Sequence, residues 1–356
     1  MTNVVAQLIA ERDILICAGP GGVGKTTVAA AIALEGARRG RRTCVVTIDP
    51  AKRLANALGI DELGNEPCRV DGDWAGRGEL WALMLDTKAT FDAVVRANAA
   101  SGAQAEVILA NRFYRNISGA LSGTQEYMAM EKLHALHHDR RFDLVVVDTP
   151  PTRHALDFLD APNRLMRFLN NRFFRVLISP TRVGLRAVNV ATQMLLRTLS
   201  HVIGGEVVRD AVAFFTAFEG MEQGFRDRAG RMEKLFSDAG TAFLVVAGPR
   251  RDAVAEAAYF ADRLRDTSMP VAALVINRVL PHFGPVPGGP VEAGALGNLV
   301  ANLRQLDGIA RREEHHIETL ARRLPGTPVV RVPQLVGEVH DLDGLTQVGA
   351  ALVADP

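Results

Sequence analysis

Nine consecutive residues, Gly19-Pro20-Gly21-Gly22-Val23-Gly24-Lys25-Thr26-Thr27, fit the pattern G-x-x-x-x-G-K-[ST] and follow at once on the apolar run Ile14-Leu15-Ile16-Cys17-Ala18. That junction predicts a loop that wraps a triphosphate. Its glycines let successive backbone N–H groups turn inward, and the helix that begins near Lys25 points its positive end at the same anion. Gly21, Gly22, Val23, Gly24, Lys25, Thr26 and Thr27 are the predicted binding residues. Lys25 is expected to reach the β- and γ-phosphates, and the Thr26 hydroxyl to ligate Mg²⁺. Transfer of a phosphoryl group to water needs, in addition, carboxylates that support the metal and orient the water. Asp148 closes the apolar run Leu144-Val145-Val146-Val147 and is placed to support Mg²⁺ directly or through its waters. Asp49, in Thr47-Ile48-Asp49-Pro50-Ala51-Lys52, is the candidate that orients the water. Each has a plainer alternative, Asp148 as a cap of the next turn and Asp49 as half of a turn-forming Asp-Pro pair.

These residues need a frame that brings strand ends together, and the hydropathy pattern supplies one. Short apolar runs alternate with longer helical patterns, which predicts an α/β fold with a mainly parallel, twisted sheet flanked by helices. The expected strands are 14–18, 43–48, 80–85, 143–147, 243–247, 271–276 and 329–332. Asp49, Asp148 and Asn277 each follow one of them, and ligands of open parallel sheets gather at the carboxyl ends of strands.

Two stretches break the alternation. Residues 87–139 read as a helical block, with Ser122 and Gln125 spaced as a capping box before Tyr127. Residues 161–205 contain no acidic residue but do contain Arg164, Arg167, Arg172, Arg175, Arg182, Arg186 and Arg197, with apolar residues at helical spacing. This pattern predicts basic amphipathic helices that either pack within the protein or receive an apolar helix or an anionic membrane face. The Pro- and Gly-rich piece 281–297 reads as a surface loop, and Arg311 to His316 as a solvated helix face rather than a metal site.

Composition narrows the class further. At 356 residues with a formal net charge of +1, the chain can bury a sizeable core, and nothing global calls for a nucleic acid partner. Cys17, Cys44 and Cys68 form no C-x-x-C pair, so a reducing cytoplasm is expected. No charge-free apolar run is long enough to span a bilayer, and any membrane contact is expected to be peripheral. Asn277-Arg278 is not followed by the Asp that reads a guanine edge, so the expected nucleotide is ATP rather than GTP.

Gly21 to Thr27, Asp49-Pro50-Ala51 and Asp148-Thr149-Pro150-Pro151-Thr152-Arg153-His154, in that order, resemble the ArsA/Get3-like ATPases of the deviant Walker A class of P-loop NTPases. The likeness runs from about Ile14 to Pro333 and is greatest to the actinobacterial Get3-like anion-transporting-ATPase subunits. It implies one ATPase domain over 1–356, with a helical insertion subdomain from about 87–139 and 161–235. It also implies that Asp49 lies in switch I and acts with Lys25 in catalysis, and that Asp148 begins switch II. Asn277, with Arg278 beside it, is implied to contact the adenine, and Pro333 to form a wall of its site. The implied ligands are ATP, ADP and Mg²⁺.

Departures from the family pattern carry their own implications. Where the family has a signature lysine that crosses a dimer interface, this chain has Pro20. A single phosphate loop makes a two-site assembly dependent on dimerisation, and Pro20 points to a related partner subunit that keeps the lysine. Without a C-x-x-C pair no zinc clasp is expected, and the three cysteines do not reproduce an arsenite cluster. The leading functional class is a cytoplasmic Mg²⁺-dependent ATPase whose dimer opens and closes around a client or membrane-associated partner. The alternatives are a low-activity regulatory subunit and a positioning ATPase of the ParA/MinD type.

Overall fold

Strand β1, Ile14–Ala18, is buried along its whole length, as a strand covered on both faces must be. Around it a computed structural model gives an eight-stranded sheet in the order β3-β4-β2-β5-β1-β6-β7-β8. The structure describes residues 3–49, 51–74, 76–120, 124–150, 205–218, 220–266, 269, 271–285 and 294–354. The other strands are β2 Arg42–Thr47, β3 Cys68–Val70, β4 Glu79–Met84, β5 Leu144–Asp148, β6 Thr241–Ala247, β7 Val271–Val279 and β8 Val329–Pro333. All pair in parallel except β3, which runs antiparallel to β4 at the edge. The seven expected strands are all present; β3 is an addition that the hydropathy pattern did not give. The fold is that of an α/β P-loop NTPase.

Chain order reverses around β1, which has β5 on one side and β6 on the other. This is the switch point at which the strand ends leave a crevice. Helix Lys25–Arg38 follows β1 through the loop and is buried on every side from Val28 to Leu34, a mostly small-residue stretch. Small side chains let it lie close against β2 and β5, and the C-terminal helix Leu342–Val353 packs on it through buried Leu345, Val348 and Leu352. Leu15, Val45, Val146, Leu244 and Val275 join that layer to the sheet in one continuous apolar core.

By contact the chain divides into two units, the first drawn from 1–85, 136–156 and 236–356 and holding the sheet. The second, drawn from 86–135 and 157–235, is helical in its described part. Its helices are Thr87–Asn98, Gly102–Ala110, Arg112–Ala120, Gly205–Phe218 and Glu222–Phe236, the last ending at the unit boundary, with Thr124–His138 beginning in it. An aromatic core of Phe91, Tyr114, Tyr127, Phe214, Phe218 and Phe225 holds this unit together. Beside it the buried Glu131 carboxylate accepts hydrogen bonds from Arg228 at 2.9 Å and from the Tyr127 hydroxyl at 3.1 Å. The expected helical block at 87–139 thus resolves into four helices, with Asp86 and Ser101 capping the first two.

Ser122 of the expected capping box and the arginine-rich segment up to residue 204 lie outside the described residues, as do Pro50 and Pro151 to His154. Within the expected loop at 281–297, a helix already begins at Ala295 and runs to Arg323. Among the described residues, no helix is long and apolar enough to cross a membrane.

Candidate functional site

The loop after β1 ends at Gly24, which caps helix Lys25–Arg38 with a left-handed backbone, φ +87°, and no side-chain bond to the first turn. A glycine is required there because an L side chain would be strained and would also run into the amide of Asn277. Helices that start without a side-chain cap keep their first N–H groups available to an anion. Gly19, φ +155°, is held for a related reason, since a Cβ at that position would strike the Val246 carbonyl. Thr26 and Thr27 are half-buried in the first turn, whereas Gly21 and Gly22 are exposed on the loop's crest.

Lys25 is buried, and its Nζ donates to the Pro20 carbonyl at 2.9 Å, so it bridges the two ends of the loop. Burial pulls its pKa down, and the nearby charges of Asp148 and Asp49 act against that. Asp148 sits at the end of β5 in register with Cys17 of β1 and Thr47 of β2. Its Oδ2 accepts from the Thr26 hydroxyl at 2.7 Å and from the Thr47 hydroxyl at 2.9 Å. Its Oδ1 is buried and has no hydrogen-bond partner among the described residues. Burial pushes the carboxyl up to about 6, while the two hydroxyls and Lys25 pull it down.

Asp49 lies two residues beyond β2. Its N–H donates to Thr47 Oγ1 at 3.2 Å, and its Oδ1 accepts from the Ala51 N–H at 3.0 Å. Arg53 Nη1 stands 3.5 Å from its other oxygen. The structure therefore brings Lys25, Thr26, Asp148 and Asp49 to one end of the sheet. Thr47, whose hydroxyl joins the Asp148 carboxylate to the Asp49 backbone N–H, is a residue that the sequence reading missed; its signal was a hydroxyl residue at the carboxyl end of a strand.

Asn277 and Arg278 come to the same loop from β7. The Asn277 side chain is buried, donates to the Val23 carbonyl at 2.9 Å and accepts from the Arg278 N–H at 3.0 Å. Arg278 Nη1 reaches the Gly22 carbonyl at 3.4 Å. A cleft of about 280 Å³ opens beside them, lined by Gly21, Gly22, Asn277, Arg278, Glu313 and Gln334 among others. Pro333 is exposed at the end of β8, paired with Val279, and its neighbour Gln334 rather than Pro333 itself lines the cleft. Nearby, His316 is half-buried with Nδ1 3.2 Å from the Pro249 carbonyl, which corrects the reading of this position as a solvated face.

The donor set fits a phosphate and a hard cation. A buried carboxylate oxygen without a donor among the described residues, beside a threonine hydroxyl and a lysine, is the arrangement that a Mg²⁺ with its waters completes.

The sequence matches the family described as Anion-transporting ATPase, ArsA type, over residues 12–286. It is 30% identical over 279 residues to an uncharacterized protein of Streptomyces coelicolor, covering 76% of this chain. It is 30% identical over 156 residues to the ATPase GET3 of Malassezia globosa, covering 44% of this chain. To the ATPase GET3B of Arabidopsis thaliana it is 27% identical over 289 residues, again 76% of this chain. The chain spans 63%, 44% and 65% of the length of these three relatives. With three motifs at the carboxyl ends of β1, β2 and β5 and a family match over most of its length, the chain belongs to the ArsA-type anion-transporting ATPase family.

Proposed function

We propose that the chain is a Mg²⁺-dependent ATPase whose catalytic groups are Lys25 and Asp49. The observation that carries this reading is Asp148, an almost wholly buried carboxylate with one oxygen held by Thr26 and Thr47 and the other without a donor among the described residues. Thr26 and Asp148 are the residues that would hold the metal. Bound there, Mg²⁺ would neutralise charge on the β- and γ-phosphates. Lys25 brings a second positive charge from within the loop, after giving up the Pro20 carbonyl. Asp49 orients the attacking water. Its side chain is 21% exposed, with one oxygen fixed by the Ala51 N–H and the other shared between solvent and the largely exposed Arg53, 3.5 Å away.

Residues 1–356 act as one ATPase domain with a helical subdomain from about 87–139 and 161–235, in the cytoplasm, and ATP turnover opens and closes a dimer. That motion handles a client, a membrane protein or a peripherally bound partner, in keeping with the resemblance to the Get3-like ATPases. Pro20 favours a second reading, a low-activity nucleotide-binding subunit that depends on a related partner for the missing charge.

Titration calorimetry with Mg²⁺ and ATP tests the core of the proposal. Lys25→Ala is expected to abolish the heat. Asp49→Asn is expected to keep the affinity and lower turnover at least about a hundredfold. No heat with the parent protein, or equal turnover by the Asp49→Asn variant, rejects the assignment.

A further inference from the structure

Strand β7 ends in an irregularity. Its register with β8 shifts between Asn277 and Val279, so that Arg278 is an extra residue, and Arg278 is the single non-glycine with a left-handed backbone, φ +62°, among the described residues. Bulges re-aim side chains, and strained backbone held in place by its surroundings points to a task. Here the bulge directs two consecutive side chains onto two consecutive carbonyls of the phosphate loop. Asn277 Nδ2 donates to Val23 O at 2.9 Å, and Arg278 Nη1 approaches Gly22 O at 3.4 Å. The Asn277 oxygen in turn accepts from the Arg278 N–H, which fixes the bulge itself.

We propose that Asn277 and Arg278 are positioning residues for the phosphate loop. In a planar trans peptide the C=O and the following N–H point in opposite directions. Holding Gly22 O and Val23 O toward β7 therefore aims the N–H groups of Val23 and Gly24 to the other side, where a phosphate is to be cradled. Gly24 packs so tightly against the Asn277 amide that a Cβ would displace it, so the glycine and the clamp fit one another. The inference rests on the nucleotide reading of the loop and assigns Asn277 a task that does not depend on the base.

Calorimetry with two probes, Mg²⁺-ATP and Mg²⁺-tripolyphosphate, separates the cases. Asn277→Asp removes the donor to Val23 O and keeps the acceptor for Arg278. It is expected to weaken both probes by the same factor, about tenfold or more. Arg278→Gly tolerates the left-handed backbone and removes the guanidinium. It is expected to weaken both about threefold, with melting temperature retained, and Arg278→Lys is expected to recover most of the loss. Should Asn277→Asp melt well below the parent, the Arg278 pair decides alone. Unchanged affinity in both variants overturns the clamp, as does a loss confined to ATP, which marks a contact to the base instead. A parent protein that binds neither probe overturns the nucleotide reading and the clamp together.

Discussion

Asp148 holds a proton more tightly in the folded chain than in the unfolded one, because burial disfavours its charge more than Thr26, Thr47 and Lys25 favour it. The consequence for stability has a definite sign. With a folded pKa of about 6 against an ordinary 3.8, the folded state binds more protons across that window. Stability is therefore fully present below about pH 4 from this group and is lost as pH rises through 6. The loss amounts to about 3 kcal/mol. Unfolding of the protein in a chelator is expected to show this decline, and Asp148→Asn, which cannot ionise, to flatten it. An identical slope between pH 4 and 6 in parent and variant would show that the carboxyl is solvated. The same residue explains why the site wants a cation, since a partner charge at the orphaned oxygen removes the penalty of ionising it.

Among the elements, the helical unit holds one ion pair, the buried Glu131 with the partly buried Arg228, beside its aromatic core. Glu131 is buried, and its carboxyl is raised by burial even with Arg228 and Tyr127 bonded to it. Arg228→Ala leaves that carboxylate without its cation and is expected to destabilise by about 3 kcal/mol in urea unfolding, whereas Glu131→Leu with Arg228→Met should come within about 1 kcal/mol of the parent. Equal losses in the single and double variants would mean that the pair is not the cause. Elements of this kind were unevenly legible beforehand. The buried strands could be read because parallel strands covered on both faces are continuous apolar runs, such as Leu144 to Val147. Cys68–Val70 could not, since it is three residues long with only Val70 buried. The helical block was visible as a period, but its divisions depend on caps at Asp86 and Ser101, which periodicity does not register. At the site, Lys25, Thr26 and Asp148 were legible from the loop pattern and the strand end. The bulge at Arg278 left no trace, because a left-handed arginine looks in sequence like any other.

For the whole molecule, the decisive residue is the one that carries no charge. Pro20 is buried, its carbonyl is engaged by Lys25, and its ring offers nothing to a neighbouring subunit's phosphates. A cation brought to the developing charge in phosphoryl transfer is worth about three to five powers of ten in rate. A chain without it should therefore bind nucleotide well and turn it over slowly, since binding uses its own loop, while the missing charge acts only in the transition state. The isolated protein is expected to hydrolyse ATP slowly at a rate per chain that does not change with its concentration, because a second copy supplies no lysine either. Adding a related subunit that has lysine at that loop position is expected to raise turnover at least tenfold with little change in ATP affinity. Steady-state rates of the two proteins, alone and mixed, make the comparison. A turnover of about 1 per second or more from this chain alone, unmoved by the partner, would place it among ordinary self-sufficient enzymes and reject the dependence on a second subunit.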